Sequence, residues 1–236
     1  MQLNLPKVFI AVYTAYPKKY CDTKFFNRVK NIAYPKELLD IQVVDNTIET
    51  IDYMSDLKQI VPDANKLYHV TVPHEPRESY FQRKVAESVQ HLRAEFLKTD
   101  AEYFVIFESD VLVPIMVINQ LLHAKDELEA QGKKWAAIGG IYYPGFHDYS
   151  IAGIDVLKKT HHVLSGCTLY KREIIEKFPF RWSTQNLGAF SDAWICSDIN
   201  DAKEGWELYD YGNILCDHME DAYVGRGQGL LHKETK

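Results

Sequence analysis

The amino-acid sequence predicts an α/β fold, in which helices flank a mostly parallel, mixed central sheet with a Rossmann-like first half. Strand-like and helix-like segments alternate over residues 7–138, an order typical of parallel sheets. The segment 103–107, YFVIF, is apolar at every position, which is the pattern of a central strand covered on both faces. With 236 residues, the chain is long enough to bury a sizeable core.

Short runs of β-branched, aromatic and other apolar residues, bounded by turn residues, predict the first strands. These runs lie at 7–13, 39–44, 66–70, 103–107 and 135–138. The last of them is expected to stop at Gly139-Gly140. Beyond this point, strands are predicted at 162–170 and 206–216, around a helix at 193–203.

Helices are predicted at 23–32, 77–97 and 114–130. The third has Pro114 in its first turn and Gly132 as its stop. The second is the clearest, because its apolar residues recur at spacings of three and four and form one buried stripe. This stripe comprises Phe81, Val85, Val89, Leu92 and Phe96.

Composition argues against several classes of function. The net charge is −6 and no block of Lys and Arg occurs, which argues against nucleic-acid binding. The four cysteines include no CxxC pair, so a zinc ribbon is not expected and a reducing compartment is favoured. No apolar leader opens the chain, and no run approaches the roughly 18 residues of a membrane span. We therefore expect a cytoplasmic protein without an integral membrane segment.

Three carboxylates follow predicted strands. Asp45 comes after the second strand, and Glu108 and Asp110 come after YFVIF. Ligands of open α/β sheets bind beyond the carboxyl ends of the strands, so these acids are candidates for a binding site. Hard carboxylate oxygens suit Mg²⁺ or Mn²⁺ beside a nucleotide diphosphate. The alternative for each acid is a helix N-cap or a solvated turn.

Six segments of the chain, spread over residues 7–218, resemble GT-A glycosyltransferases, and specifically their family-2-like members. In chain order they are KVFIAVYTAYP, YPKELLDIQVVDNT, YFVIFESD, GGIYYPG, SGCTLYKREIIEKFPF and SDAWICSDINDAKEGWELYDYGNILCDH. Two departures stand out. Glu108-Ser109-Asp110 replaces the DxD motif, and Ser191-Asp192 leaves one acid where the family has a pair.

The resemblance implies one glycosyltransferase domain over residues 1–236, with a nucleotide-sugar half at about 1–140 and an acceptor half with a C-terminal lid at about 141–236. It implies transfer of a sugar from a UDP- or GDP-linked donor to a glycan or other hydroxyl acceptor with inversion at the sugar carbon. It also implies a divalent metal, Mn²⁺ or Mg²⁺. Asp192 would be the general base. Asp110 and His218 would bind the metal.

Most of the remaining roles are given by the resemblance, while Arg226 is a candidate because it lies in the Gly-rich tail GRGQGLLHK, which could fold over the diphosphate as a lid. Nucleotide-binding positions would be Thr14, Asp45, Arg77, Arg83, Glu108 and Arg226, and the wall between donor and acceptor would include Gly166 and Trp194. Each has an ordinary alternative. Asp192 can be a helix N-cap, His218 a surface residue, the arginines exposed charges or part of a loose terminus, and Trp194 a core residue. The pair His161-His162 is not expected to bind metal, because neighbours on a strand point to opposite faces.

Two other functions remain open. A nucleotidyltransferase also uses acidic metal ligands on an α/β sheet, but the loop TAYPKKY after the first strand has no glycine. A non-catalytic nucleotide- or glycan-binding module would keep the same fold. A dinucleotide oxidoreductase is poorly supported, since no GxGxxG follows Val12.

Overall fold

The computed structural model describes residues 5–48, 51–61, 66–72, 77–143, 148–185 and 189–219. Within them, eight strands form one sheet in the order β3-β2-β1-β4-β8-β6-β9-β7, and β5 and β10 form a two-stranded ribbon. The strands are β1 Val8–Thr14, β2 Leu39–Asp45, β3 Lys66–His69, β4 Tyr103–Glu108, β5 Val111–Leu112, β6 Trp135–Ile141, β7 Leu157–Thr160, β8 Cys167–Lys171, β9 Glu207–Leu215 and β10 Asp217–His218.

The sheet is mixed and mostly parallel in its first half, as the sequence predicted. β1 pairs in parallel with β2 and β4, and β2 pairs in parallel with β3. β8 lies antiparallel between β4 and β6, while β9 is parallel to β6. The second half of the chain therefore extends the same sheet instead of forming a separate one.

Helices cover both faces of the sheet. They are α1 Asp22–Lys30, α2 Met54–Ile60, α3 Arg77–Phe96, α4 Val117–Ala130, α5 Arg172–Lys177 and α6 Ser191–Asp201. Along β4, Val105 and Phe107 pack into one apolar cluster with α1, α2 and α4. Phe104 and Ile106 point the other way, into a cluster with α3, α5 and α6. Successive strand residues face opposite sides, which explains why YFVIF is apolar throughout.

The prediction that the strand at 135–138 ends before the two glycines is wrong. β6 continues to Ile141 through Gly139 and Gly140. A Cβ atom on Gly140 would lie 2.6 Å from Ile214 of β9, so the missing side chain allows this parallel neighbour to approach. The glycines here permit close strand packing and do not form a turn.

Two further expectations are corrected by the structure. The strand predicted at 162–170 begins only at Cys167, and residues 161–166 lie outside any strand. The apolar stripe of α3 is buried at Val89, Leu92 and Phe96, but Phe81 is 58% exposed. The stripe therefore leaves the core at its N-terminal end, where it meets the cleft described below. No helix in the described ranges is long and apolar enough to cross a membrane.

Candidate functional site

The predicted site residues at the strand ends come together as expected. Thr14 and Asp45 are register partners at the ends of β1 and β2. Glu108, at the end of β4, is the partner of Tyr13. Parallel strands place their carboxyl ends at one edge, so these side chains share one side of the sheet.

Thr14 and Asp45, however, lie beneath the surface of that edge. Asp45 is fully buried, and its two carboxylate oxygens accept from the Thr47 backbone amide at 2.8 Å and contact Nδ1 of His69 at 3.0 Å. Thr14 accepts from the Ser109 hydroxyl at 2.9 Å and lies 3.4 Å from the Tyr53 hydroxyl. Both side chains therefore support the residues that surround them.

Of the three arginines predicted at the nucleotide site, only Arg83 has a described side chain, and it does not line the cleft. The Arg83 guanidinium lies 5.0 Å from the centre of the Trp182 ring and 3.8 Å from the Glu87 carboxylate. Arg77 begins α3, but its side chain is outside the described part, as is the whole of Arg226. A different cation, Lys84, is buried on α3. Burial lowers the pKa of Lys84, and the nearby Asp45 carboxylate opposes this.

Glu108 belongs to a small hydrogen-bonded cluster in the cleft. Its Oε1 accepts from the Tyr13 hydroxyl and from the Ser165 hydroxyl, the latter at 2.8 Å. The Tyr13 and Ser165 hydroxyls are 3.1 Å apart. Burial and the Glu108 carboxylate hold the pKa of Tyr13 well above its usual value, so its phenol stays protonated as a donor. This cluster joins the end of β4 to the loop before β8.

Asp110 and His218 meet as predicted. The antiparallel pairing of β5 with β10 brings them together, with His218 opposite Val111, and the Asp110 carbonyl accepts from the Met219 amide at 2.7 Å. Oδ2 of Asp110 lies 3.8 Å from Nε2 of His218. The His218 ring is stacked on Tyr142, 6.0 Å between centres and 8° between planes, which holds its orientation.

These two groups fit a divalent cation. A separation of 3.8 Å is too long for a hydrogen bond, yet one ion can contact both a carboxylate oxygen and an imidazole nitrogen at this spacing. The other oxygen of Asp110 is already paired: Oδ1 contacts the Lys18 ammonium at 2.9 Å. A second group of possible ligands, distant in sequence from this pair, comprises His123, Glu127 and Asp155. His123 and Asp155 in this group are exposed, and Glu127 is half-buried.

Asp192 lies in the first turn of α6 and is largely buried. The helix is capped by Phe190 without a side-chain bond, so the N-cap alternative for Asp192 is wrong. Its Oδ1 accepts from the Ala193 amide at 2.8 Å and its Oδ2 from the Ser165 amide at 3.3 Å. The carboxylate is thus oriented by two backbone donors at the wall of the cleft.

His162 is a neighbour that sequence reasoning set aside. Its Nε2 lies 3.6 Å from Oδ2 of Asp192. Residues 161–166 form a loop and not the expected strand, so the alternation of side chains between two faces does not apply to His161 and His162.

The two predicted wall residues differ in position. Gly166 donates from its amide to the Tyr142 hydroxyl at 3.1 Å, and a Cβ atom there would lie 2.5 Å from the same ring. Gly166 therefore allows Tyr142 to close the wall of the cleft. Trp194 does not line the cleft, and the Arg181 guanidinium lies 4.0 Å from its ring centre.

Several of these groups line one open cleft of about 420 Å³. Its lining combines polar and charged groups with apolar side chains from α3, the loop before β8 and the segment before α6. The described residues that line it are Tyr13, Lys18, Phe81, Val85, Glu108, Tyr142, Leu164, Ser165, Phe190, Asp192 and His218. Among them, Lys18 is the only Lys or Arg. The cleft thus combines acidic groups with apolar side chains, of which Phe81 and Phe190 are exposed.

No family profile matches the chain, and no curated protein matches its sequence. Solved structures do match it. One is the mannosyltransferase PcManGT from Pyrobaculum calidifontis, solved with GDP-Man and Mn²⁺. It is 17% identical with a TM-score of 0.59, over 96% of this chain and 62% of that one.

Two other structures match similarly. Residues 1–349 of TarS from S. aureus with UDP-GlcNAc are 11% identical, with a TM-score of 0.60 over 93% of this chain and 60% of that one. Glucosyl-3-phosphoglycerate synthase from Mycobacterium tuberculosis is 14% identical, with a TM-score of 0.55 over 94% of this chain and 75% of that one.

The fold of this chain is the GT-A type, and the expected resemblance is confirmed at the level of the fold. The chain spans about three-fifths of the length of the PcManGT and TarS structures.

Proposed function

We propose that this chain is a glycosyltransferase that moves a sugar from a nucleotide-diphosphate donor to an acceptor hydroxyl. The observation that carries the proposal is the convergence of Glu108, Asp110, His218 and Asp192 on one side of a GT-A fold. The similar structures support the donor class, since one is titled with GDP-Man and another with UDP-GlcNAc. We propose the halves predicted from the sequence, with the nucleotide at about 1–140 and the acceptor at about 141–236.

Charge at the site supports a divalent cation. This region contains three carboxylates, those of Glu108, Asp110 and Asp192. Among the described residues that line the cleft, Lys18 is the only Lys or Arg that could balance their charge. A diphosphate adds further negative charge and would be repelled. Asp110 and His218 would hold Mn²⁺ or Mg²⁺, whose charge offsets that of the donor and stabilises the leaving diphosphate.

The nucleotide would lie along the ends of β1, β2 and β4. Glu108 is proposed beside the ribose. Because Thr14 and Asp45 are buried, we propose that they lie beneath the base pocket and hold its residues in place without contacting the base, with the partly exposed His69 beside Asp45. Arg77, Arg83 and Arg226 stay predictions for the diphosphate or the base.

Asp192 is proposed as the general base. An inverting displacement needs a carboxylate that takes the acceptor proton as the sugar carbon is attacked. Asp192 suits this role because two backbone amides fix its carboxylate at the edge of the cleft. No second acid stands beside it, since Ser191 precedes it. Gly166 and Tyr142 would form the adjacent wall, and Trp194 is retained only as a more distant support.

A thermal-shift series with UDP, GDP and the corresponding nucleosides, each with and without Mn²⁺, tests the donor class. We expect stabilisation by one diphosphate and loss of that stabilisation with the nucleoside or with a chelator. Release of nucleotide from UDP- and GDP-sugars, followed by product analysis, then tests transfer and inversion. No response to any nucleotide would overturn the proposal. The cytoplasmic location predicted from the sequence stays a prediction.

A further inference from the structure

Lys18 occupies the position at which a cation is needed. It lies in the two-turn 3₁₀ segment Tyr16–Cys21, which follows β1 and has Pro17 in its first turn. Its ammonium contacts Oδ1 of Asp110 at 2.9 Å and lies 5.8 Å from the centre of the Tyr13 ring. The Lys18 side chain is 29% exposed and lines the cleft. The charged head is therefore held against the carboxylate proposed to bind metal.

Lys18 stays charged in this position. A lysine side chain is protonated at neutral pH, and the 2.9 Å contact with Asp110 holds its positive charge beside the proposed metal ligand. A divalent ion bound between Asp110 and His218 would then lie a few ångströms from an ammonium of the same sign. Like charges at such a distance repel strongly in a partly buried site. Metal and Lys18 therefore compete for Asp110.

A bound donor would offer the displaced ammonium a new partner of opposite charge. Without donor, the nearest negative groups to Lys18 are protein carboxylates. A donor diphosphate bridged to the metal would bring phosphate oxygens into the same cleft. The long, flexible lysine stem lets the ammonium move between such partners without movement of the backbone.

We propose that Lys18 is a donor-binding residue that exchanges partners: its ammonium pairs with Asp110 in the empty cleft and transfers to a phosphate of the donor when a divalent cation takes Asp110. Lys18 thus weakens binding of metal alone and strengthens binding of the nucleotide diphosphate with metal. Metal binding and nucleotide binding become coupled through one side chain. This inference rests on the proposed function.

The test is Lys18→Met, which removes the charge and keeps the stem. Calorimetric titration of the nucleotide-free protein with Mn²⁺ alone should show tighter binding, by about tenfold or more. Titration with UDP and with GDP at saturating Mn²⁺ should show weaker binding, by about 10–100-fold, as expected for loss of a charge-assisted hydrogen bond. A merely structural role for Lys18 would weaken both.

Lys19→Met is the matched control, because its ammonium pairs with Asp56 at 2.6 Å outside the cleft. It should leave both affinities unchanged. Lys18→Arg keeps the charge and should resemble the unmodified protein, which guards against misfolding of the Met variant. If Lys18→Met binds Mn²⁺ no more tightly, or keeps its nucleotide affinity, the exchange is refuted while the proposed function stands. If the unmodified chain binds no nucleotide with Mn²⁺, the proposed function fails and the exchange fails with it.

Discussion

Asp45 and Asp110 follow neighbouring parts of one sheet edge, yet their surroundings differ. Asp45 ends β2 and is fully buried, with both oxygens engaged by Thr47 and His69. Asp110 follows β4, and its two oxygens face Lys18 and His218, which both line the cleft. Asp45 and Asp110 thus occupy similar positions at strand ends, but the groups that contact their carboxylates differ. The comparison separates acids that hold the fold together from acids that are free to exchange partners with a ligand.

The same division applies to two other acids. Asp22 is buried at the start of α1, where its carboxylate accepts from the Tyr53 hydroxyl. Asp192 lies at the wall of the cleft and is held by backbone amides. We expect changes at Asp192 and Asp110 to alter chemistry and binding, and changes at Asp45 and Asp22 to alter stability.

The largest effect is expected for Asp192→Asn. Loss of the general base should lower turnover by about 10²–10⁴-fold, with donor affinity nearly unchanged. Steady-state transfer rates and nucleotide titration measure the two quantities separately. Asp201→Asn, at an exposed position of the same helix, is the control and should keep full turnover. An Asp192→Asn variant with normal turnover, or a product that retains the donor's anomeric configuration, would exclude this mechanism.

The next effect concerns Asp110. Asp110→Asn should lower the Mn²⁺-dependent affinity for UDP or GDP by at least about tenfold, because a charged ligand of the ion is lost. The melting temperature without nucleotide should change little. Asp217→Asn removes an exposed acid beside His218 and should not alter this affinity. Equal Mn²⁺-dependent affinities in Asp110→Asn and the unmodified protein would remove Asp110 from the metal site.

Asp45→Ala should show the opposite pattern. Loss of two buried polar contacts, to Thr47 and His69, should lower the free energy of unfolding by about 3 kcal/mol. Urea denaturation measures this change. The nucleotide affinity of the folded variant should stay within about twofold of that of the unmodified protein. This is well below the tenfold change in affinity that corresponds to about 1.4 kcal/mol. Asp100→Ala breaks an exposed pair with Lys7 and should change the free energy of unfolding little. A folded Asp45→Ala protein that loses nucleotide would show a direct contact with the base or ribose.

Sequence reasoning reached the strand ends and the Asp110–His218 pair, because periodicity and the family resemblance both depend on order along the chain. It missed Lys18, whose partner Asp110 is 92 residues away. It also could not show that Asp45 is fully buried and in contact with His69, since burial depends on neighbours from other strands. Phe81 satisfied the helical stripe but is exposed, because periodicity indicates which face a residue lies on and not where the core ends.

The smallest effect, and the one with a distinctive pH dependence, is expected at Asp22. Burial raises the pKa of Asp22 from 3.8 to about 6, and the Tyr53 hydrogen bond only partly offsets this. Because the folded-state pKa is raised, the contribution of Asp22 to stability is fully present below about pH 3.8 and is lost as the pH rises through about 6.

In Asp22→Asn, the new side chain stays neutral at every pH and can still accept the hydrogen bond from Tyr53. The unfolding free energy of this variant should therefore match that of the unmodified protein near about pH 4 and exceed it by about 1–2 kcal/mol near about pH 8. Denaturation at a series of pH values measures the difference. Asp56→Asn, at an exposed pair with Lys19, should not produce this pH-dependent gain. A constant difference between Asp22→Asn and the unmodified protein at every pH would mean that the carboxyl does not change its charge state on folding, because only a shifted pKa makes the difference vary with pH.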